Sequence, residues 1–469
     1  MSSPITPSMA NPIAEPELDR DSLDVRSEGP ENATAPRQSL KSLTVRGSTW
    51  TLVEYGISQV LRLASNLILA RILFPEAFGK MLIVNVFMQA LDMFSDIGIG
   101  PSIIQNKRGE DERFLNTAWT IQAIRGACLS VCALAIAWPV AFAYRDPQLA
   151  YLLAVAGLSG TISGLSSTNL HLLNRRLALQ RLTILNLGTQ VLSIIVTVSW
   201  AWLVPSVWAL VAGGVAANLI RMLASHLFCP GPRSRFAWDP EASREVFHFG
   251  KWIFVSTLLG FLASRGDQLI LGAYLDSKAE FGIYGIAAFL AQAIVQGLHS
   301  ISGRVLFPVY AHLAEEGPER LRRQTLRVRA VLMALSVPPV CALVVWGPLL
   351  VDLLYDDRYL EAGWMLRILS VGAIASVIGS TIGPVLLAVG DSYRFMIIQA
   401  SRTAFLCGSM ALGGYLYGLP GVIVGVAVPE FLLYPILVLC VRKYGVWLPA
   451  LDLTGLAAAA ALIALGFSL

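Results

Sequence analysis

The sequence predicts an all-α protein that crosses a membrane many times, and three observations carry this prediction. Of its 469 residues, 55% are hydrophobic and only 14% are charged, against about 25% charged in an average soluble domain. The hydrophobic residues gather into stretches near the roughly 20 residues that a helix needs to cross a bilayer. An internal repeat then divides these stretches into two lobes of six helices, followed by one extra C-terminal span.

Taken in order, the chain begins with a segment rich in Ser, Pro, Asp and Glu at 1–40, which predicts a disordered cytosolic tail. The predicted spans follow at 48–70, 81–103, 117–143, 149–173, 182–204, 206–228, 251–274, 282–306, 330–354, 364–389, 395–417, 420–441 and 450–469. They form the predicted units, which are an N-terminal lobe at 41–228, a cytosolic linker at 229–250, a C-terminal lobe at 251–441 and an extra span within 442–469.

Positive charge is distributed unequally among the predicted loops. If the amino terminus lies in the cytosol, the cytosolic loops hold most of the loop Lys and Arg residues, including five arginines up to Arg329 in the break at 307–329. Such an excess marks the cytosolic side of a membrane protein. We therefore predict a multi-pass protein with a cytosolic amino terminus.

The internal repeat appears when the sequence is shifted against itself. A shift of 202 positions lays Trp50 on Trp252 and Asn66 on Gln268, and a shift of 203 lays Gly79 on Gly282. Each repeat holds six spans, an even number, so the two halves point the same way. We expect a pseudo-twofold axis along the membrane normal, which is common in alternating-access transporters.

The first span carries charged residues within an apolar stretch. Tyr55, Ser58, Arg62 and Asn66 share one face at helical spacing, and Glu54 lies in the same span. Because an arginine within the bilayer costs about 2.5–3.5 kcal/mol, Arg62 should face a bundle interior or a watery cavity. A structural ion pair and a side chain that reaches the interface are the alternatives.

A second polar stripe follows the second span, where Asn85, Gln89, Asp92 and Asp96 recur on one face. The corresponding face of the eighth span carries Gln292, Gln296 and His299. Matching stripes in the two halves favour a shared central cavity over the alternative, a hydrogen-bonded seam between helices.

Arginines inside or beside the spans suggest an anionic ligand, since a guanidinium group suits a phosphate or carboxylate. The candidate substrate-binding arginines are Arg62, Arg265, Arg125, Arg402 and Arg304. Arg265 and Asp267 could instead neutralise each other, Arg304 could reach the interface, and Arg221 could serve as a topology determinant. Carboxylates in a low dielectric titrate near neutrality, so the ion-coupling candidates are Asp96, Asp92, Glu54 and Asp267.

Several other classes of function find little support. The five histidines form no metal-binding motif and no phosphate-binding GxxxxGK[ST] loop occurs, so we expect no metal, no other cofactor and no nucleic-acid partner. A drug or metabolite antiporter remains the alternative, although its cationic ligands would favour acids over arginines. A membrane glycan polymerase is less favoured, because the predicted outer loops are too short for a catalytic domain. We therefore expect no enzymatic activity.

Several spaced motifs resemble a known family over about residues 45–445. They read LARILFPEAFG (69–79), SDIGIGPSIIQ (95–105), FHFGKWIFVSTLLGFLASRGDQLILGAYL (247–275), FGIYGIA (281–287), SGRVLFPVYAHL (302–313) and AEEGPERLRRQTLRVRA (314–330). The chain resembles the polysaccharide transporter family of bacterial oligosaccharide-lipid flippases, the Wzx-like branch of the multidrug/oligosaccharidyl-lipid/polysaccharide (MOP) superfamily.

The resemblance implies a V of two lobes around a cationic cavity, as in MATE-like transporters, in the bacterial inner membrane. It implies an undecaprenyl-diphosphate-linked oligosaccharide as substrate, for exopolysaccharide, O-antigen or related synthesis. A polymerase and export complex are expected partners beside membrane lipids, with a monomer sufficient for transport. By the same likeness Arg62 and Arg265, joined by Arg125, would receive the diphosphate. The residues lining the sugar path would be Asn66, Gln89, Gln268 and Gln292.

Overall fold

A computed structural model of the chain describes residues 40–468, except 97, 107, 177, 302–309, 311–317, 381, 383–384, 387–390 and 445–446. Every regular element in these residues is helical, as predicted. The helices are α1 Leu40–Ile72, α2 Pro75–Phe94, α3 Ile99–Gln105, α4 Glu112–Ala143, α5 Gln148–Gly164, α6 Asn169–Arg175, α7 Leu179–Leu203, α8 Val207–Phe228, α9 Pro240–Tyr274, α10 Lys278–Ile301, α11 Pro318–Leu354, α12 Ala362–Ser380, α13 Ser392–Arg442 and α14 Pro449–Ser468. A 3₁₀ turn, Asp357–Tyr359, precedes α12.

Among the described helices, eight are long and apolar enough to cross a membrane, and the bent pair α5 and α6 makes a ninth if it is one span. Helix α1 would reach about 50 Å at 1.5 Å per residue, so it is also long enough to cross. Each predicted span overlaps at least one described helix. The predicted tail at 1–40 lies almost wholly outside the described residues.

Local sequence explains where several helices begin. The Asp111 side chain accepts a hydrogen bond from the backbone of Arg113 and caps α4. Asp239 caps α9 in the same way, next to Pro240, whose fixed φ suits a first helical position. The backbone N–H of Glu241 and the guanidinium of Arg108 hold the pKa of Asp239 below its usual range, so this cap stays charged at neutral pH.

The structure differs from the predicted spans in four places. The span at 81–103 is broken between α2 and α3, where Gly98 adopts a left-handed conformation with φ 68°. The span at 149–173 bends by 61° between α5 and α6. Two predicted spans form one long helix, α13, with a kink at Gly418. Part of the predicted loop at 307–329 is helical, because α11 already begins at Pro318.

The region predicted as a linker packs along the N-terminal half. Asn116 and Thr117 of α4 accept hydrogen bonds from the backbone of Arg235 and Asp239, each at 3.0 Å. Arg108 adds ion pairs at 3.1 Å to Asp239 and to Glu241. This segment is therefore docked on α4 before α9 begins, and the division of the chain into lobes and linker stays a prediction.

The two halves meet closely where α2 packs on α10, at the end of the bundle that holds the α1–α2 and α9–α10 turns. A Cβ atom added to Gly79 would lie 1.8 Å from the carbonyl oxygen of Lys278, and one added to Gly282 would lie 2.0 Å from that of Pro75. A shift of 203 positions takes Gly79 to Gly282 and Pro75 to Lys278. The two contacts are therefore equivalent under the repeat, as a twofold relation requires. We call Pro75, Gly79, Lys278 and Gly282 the interlobe seam.

Gly79→Ala should lower the free energy of unfolding by about 1–3 kcal/mol, because overpacking forces tightly packed elements apart. The measurement is thermal unfolding of the purified protein in detergent. Gly56→Ala is the matched control, since a Cβ there meets nothing within 4 Å. Equal melting temperatures for the two variants would contradict the close packing of the seam.

Candidate substrate site

A cavity of about 720 Å³ lies between α1, α2, α7, α8 and α10, and we call it the central cavity. Its polar lining comes mainly from α1, α7 and α8. These polar residues are Glu54, Ser58, Arg62, Ser65, Asn66, Asn85, Asn186, Thr189, Gln190, Ser193, Asn218 and Arg221. Phe78 and Gly282 lie at its end next to the interlobe seam. The cavity therefore stops where the two halves close on each other.

Helix α7 holds the polar face of α1 through three hydrogen bonds. Thr183 and Asn186 donate to the two carboxylate oxygens of Glu54, each at 2.9 Å. Gln190 donates to the backbone carbonyl of Ser58 at 3.0 Å. The Glu54 side chain is therefore held in place by two neutral donors from α7.

Arg62 lines the central cavity, and within the described part of the chain no hydrogen bond or ion pair engages its guanidinium. One turn further along α1, Asn66 accepts a hydrogen bond from the hydroxyl of Tyr355 at 2.7 Å, which ties α1 to the C-terminal half. The central cavity thus presents a cation that no described hydrogen bond or ion pair engages, beside anchored polar groups, which suits an anionic ligand.

A second cavity of about 450 Å³ lies within the N-terminal half, among α2 to α8, and we call it the side cavity. Arg125 and Asp92 form an ion pair there at 2.6 Å. Arg125 also donates to the backbone carbonyl of Ser95 at 2.9 Å. Asp96 lines the same cavity and accepts a hydrogen bond from the backbone of Gly98 at 2.9 Å.

A third cavity of about 170 Å³ lies within the C-terminal half, and we call it the C-terminal cavity. Arg402 and Glu430 line it and form a bidentate ion pair at 2.8 and 2.6 Å. Asp267, also in the lining, is 5% exposed and accepts a hydrogen bond from Tyr284 at 2.5 Å. Gln292 lies on the same wall.

Nine of the predicted site residues are divided among three cavities. Arg62, Asn66 and Glu54 meet in the central cavity, whereas Arg125, Asp92 and Asp96 line the side cavity. The C-terminal cavity holds Arg402, Asp267 and Gln292. The two polar stripes of the second and eighth spans do not line one cavity, because Asp92 and Gln292 lie in different ones.

Arg265 contacts another predicted residue, since its Nε donates to Gln89 at 2.8 Å across the α2–α9 interface. Its predicted partner Asp267 is bound by Tyr284 instead. Gln268 is buried, with 7% exposure, and Arg304 lies outside the described residues. The substrate-binding and ion-coupling assignments thus stay predictions.

Arg221 is a cavity residue that was not among the candidate substrate-binding residues, because its position also fits a topology determinant. It lies on α8 and lines both the central and the side cavity. A position two turns before the end of a span fits either role, so spacing alone could not separate them. Whether Arg221 and Arg62 line the same cavity depends on how α1 and α8 pack. Helical periodicity in the sequence does not give this packing.

Sequence comparison identifies relatives of the chain. The profile of a family described as polysaccharide biosynthesis protein matches residues 68–363. The lipopolysaccharide biosynthesis protein WzxC of Escherichia coli is 23% identical over 430 residues, which cover 88% of this chain and 85% of that protein. The succinoglycan biosynthesis transport protein ExoT of Rhizobium meliloti is 23% identical over 379 residues, covering 81% and 76%.

Solved structures share the fold. Lipid II flippase MurJ in an inward closed conformation matches with a TM-score of 0.69 and 12% identity, over 89% of this chain and 91% of that one. An inward-facing multidrug resistance MATE family transporter of the MOP superfamily matches with a TM-score of 0.62 and 13% identity, over 86% and 95%. These likenesses confirm the predicted all-α polytopic fold of the MOP type.

Proposed function

The chain belongs to the polysaccharide biosynthesis protein family, and we propose from this premise that it is a flippase for lipid-linked oligosaccharides. Its substrate is an undecaprenyl-diphosphate-linked repeat unit, moved across the bacterial inner membrane for polysaccharide synthesis. The transport involves no covalent step, so the chain acts as a transporter and has no enzymatic activity. The observation that carries the proposal is Arg62, a cation without a described partner in the central cavity.

The charge of the cavity supports an anionic substrate. A cation that lacks a partner within a bilayer is costly, and an anion that enters the cavity lowers this cost. Arg221 adds a second guanidinium to the same lining. A diphosphate, with several oxygens and at least two negative charges, can accept hydrogen bonds from both groups.

Closure at the interlobe seam supports alternating access. In this arrangement the predicted outer end is closed by the α2–α10 contact, while the central cavity extends toward Glu54 and Arg221. The substrate enters from the cytosolic side, the seam then opens, and the headgroup leaves outward. A monomer is sufficient for this cycle, and a polymerase and export complex are the proposed partners that use the product.

The test is reconstitution of the purified protein in liposomes with a labelled undecaprenyl-diphosphate oligosaccharide. We expect protein-dependent passage of the label to the opposite leaflet, measured with and without a proton or sodium gradient. A gradient effect would show that transport is ion-coupled, and Asp96, Asp92, Glu54 and Asp267 are the candidates for that role. A lipid that stays in place while a cationic dye exchanges for protons would favour the antiporter instead.

Arg265→Lys should retain part of the flipping rate, about a third to a tenth, since a lysine keeps the charge but loses the planar fork. The same liposome assay measures it. Arg265→Gln, which removes the charge while keeping hydrogen-bonding atoms beside Gln89, should be slower still. Equal rates for the two variants would remove Arg265 from the substrate path.

A further inference from the structure

The side cavity adjoins the central cavity at two residues. Asn218 and Arg221 lie three positions apart on α8, on one helix face, and both line each of the two cavities. The two cavities are therefore adjacent, and these two side chains lie where a ligand of the central cavity would enter the side cavity. Both volumes, about 720 and 450 Å³, fall in the size range of ligand pockets.

The two cavities differ in whether their arginines have a described hydrogen-bond or ion-pair partner. In the central cavity Arg62 has no described partner, whereas in the side cavity Arg125 is bound by Asp92 at 2.6 Å. Asp96 adds a second carboxylate to the side cavity. Arg221 lines both cavities, and the central cavity adds Arg62 and one carboxylate, Glu54, whereas the side cavity adds two carboxylates and an arginine that is already engaged. An anion is therefore favoured in the central cavity.

The side cavity does contain polar side chains that could form hydrogen bonds with the hydroxyl groups of a ligand. No hydrogen bond in the described parts of the chain engages the hydroxyl of Ser163 or the side-chain amide of Asn174. The Asp92 side chain is 68% exposed despite its ion pair. Hydroxyl groups both donate and accept, so they pair with carboxylate oxygens, with amides and with other hydroxyls.

We propose that the side cavity is the subsite for the sugar attached to the diphosphate, with Ser163 and Asn174 as sugar-contacting residues and Arg221 at the junction. This inference rests on the proposed function and deepens it. The diphosphate lies by Arg62 and Arg221 in the central cavity, and the first sugar lies beside Asp92, Ser163 and Asn174. The N-terminal half thus recognises the glycan before the transporter changes from inward-facing to outward-facing.

The experiment measures equilibrium binding of two lipids to the full chain in detergent, undecaprenyl diphosphate and undecaprenyl diphosphate that carries one glucose. The unsubstituted protein should bind the glucose-bearing lipid more tightly. The double variant Ser163→Ala/Asn174→Ala should weaken binding of that lipid about tenfold, as expected for two lost hydrogen bonds. Its affinity for undecaprenyl diphosphate should not change.

Two further variants make the result specific. Ser264→Ala/Ser376→Ala removes two hydroxyls from the C-terminal cavity and should change neither affinity. Arg62→Ala should weaken binding of both lipids equally, because Arg62 contacts the diphosphate that both lipids carry. The subsite is refuted if Ser163→Ala/Asn174→Ala weakens binding of both lipids to the same extent, or of neither lipid. It is also refuted if the unsubstituted protein binds the two lipids with equal affinity. Failure of the unsubstituted protein to bind either lipid would refute the proposed function itself, and the subsite with it.

Discussion

Arg62→Ala should lower the rate of lipid-linked oligosaccharide flipping about 10- to 100-fold. A hydrogen bond to a charged group contributes about 1.5–3 kcal/mol, and each 1.4 kcal/mol corresponds to a factor of ten. Because no described contact stabilises the Arg62 guanidinium in the protein, its removal should leave folding intact. The measurements are the liposome rate and the amount of protein in the membrane.

The controls separate charge from geometry. Arg62→Lys keeps the charge and should recover part of the rate, since a lysine binds phosphate as a point charge. Arg145→Ala removes an arginine whose side chain is 85% exposed and should leave the rate unchanged. An unchanged rate in Arg62→Ala, at normal abundance, would refute its role in binding the diphosphate.

The polar face of α1 shows how far the sequence alone could reach. The spacing of Ser58, Arg62 and Asn66 predicted one polar face, and all three line the central cavity. The prediction succeeded because a charged side chain in an apolar helix must face a polar environment, however the other helices pack. The internal repeat aligned Gly79 with Gly282 as equivalent positions, but it did not predict that the two glycines meet at the interlobe seam.

The partners of the charged residues could not be predicted in this way. Arg125 is bound by Asp92, and Arg402 by Glu430, through contacts between different helices. Helical periodicity gives the face on which a side chain lies, but the neighbour on that face depends on how the helices pack. For the same reason the polar stripe on α2 lines two cavities, with Asn85 in the central cavity and Asp92 in the side cavity.

Arg329 is the clearest case of a wrong sequence prediction. It was expected in a cytosolic loop, as one of several topology-determining arginines. Instead α11 includes it, and its fully buried side chain forms an ion pair with Asp452 of α14 at 2.6 Å. Tyr434 donates a hydrogen bond to the other oxygen of Asp452 at 2.9 Å. The C-terminal helix is thus fixed to the bundle through a buried charge pair.

Arg329→Met should lower the free energy of unfolding by about 3–5 kcal/mol, the largest stability effect that we expect in this protein. Removing one partner leaves the other as a buried charge without compensation, which costs more than the pair itself contributes. The measurements are thermal unfolding in detergent and the amount of protein in the membrane. Arg327→Met, on an exposed position of the same helix, is the matched control and should have little effect.

The double variant Arg329→Met/Asp452→Leu decides whether the loss comes from the uncompensated charge or from the contact itself. If the charge is the cause, the double variant should recover most of the stability, since two apolar side chains of similar volume replace the pair without desolvation cost. If the pair is needed to hold α14 in place, the double variant should remain as unstable as Arg329→Met. Recovery of stability with normal flipping would make the Arg329–Asp452 pair a structural feature of the bundle, separate from the cations that bind the substrate.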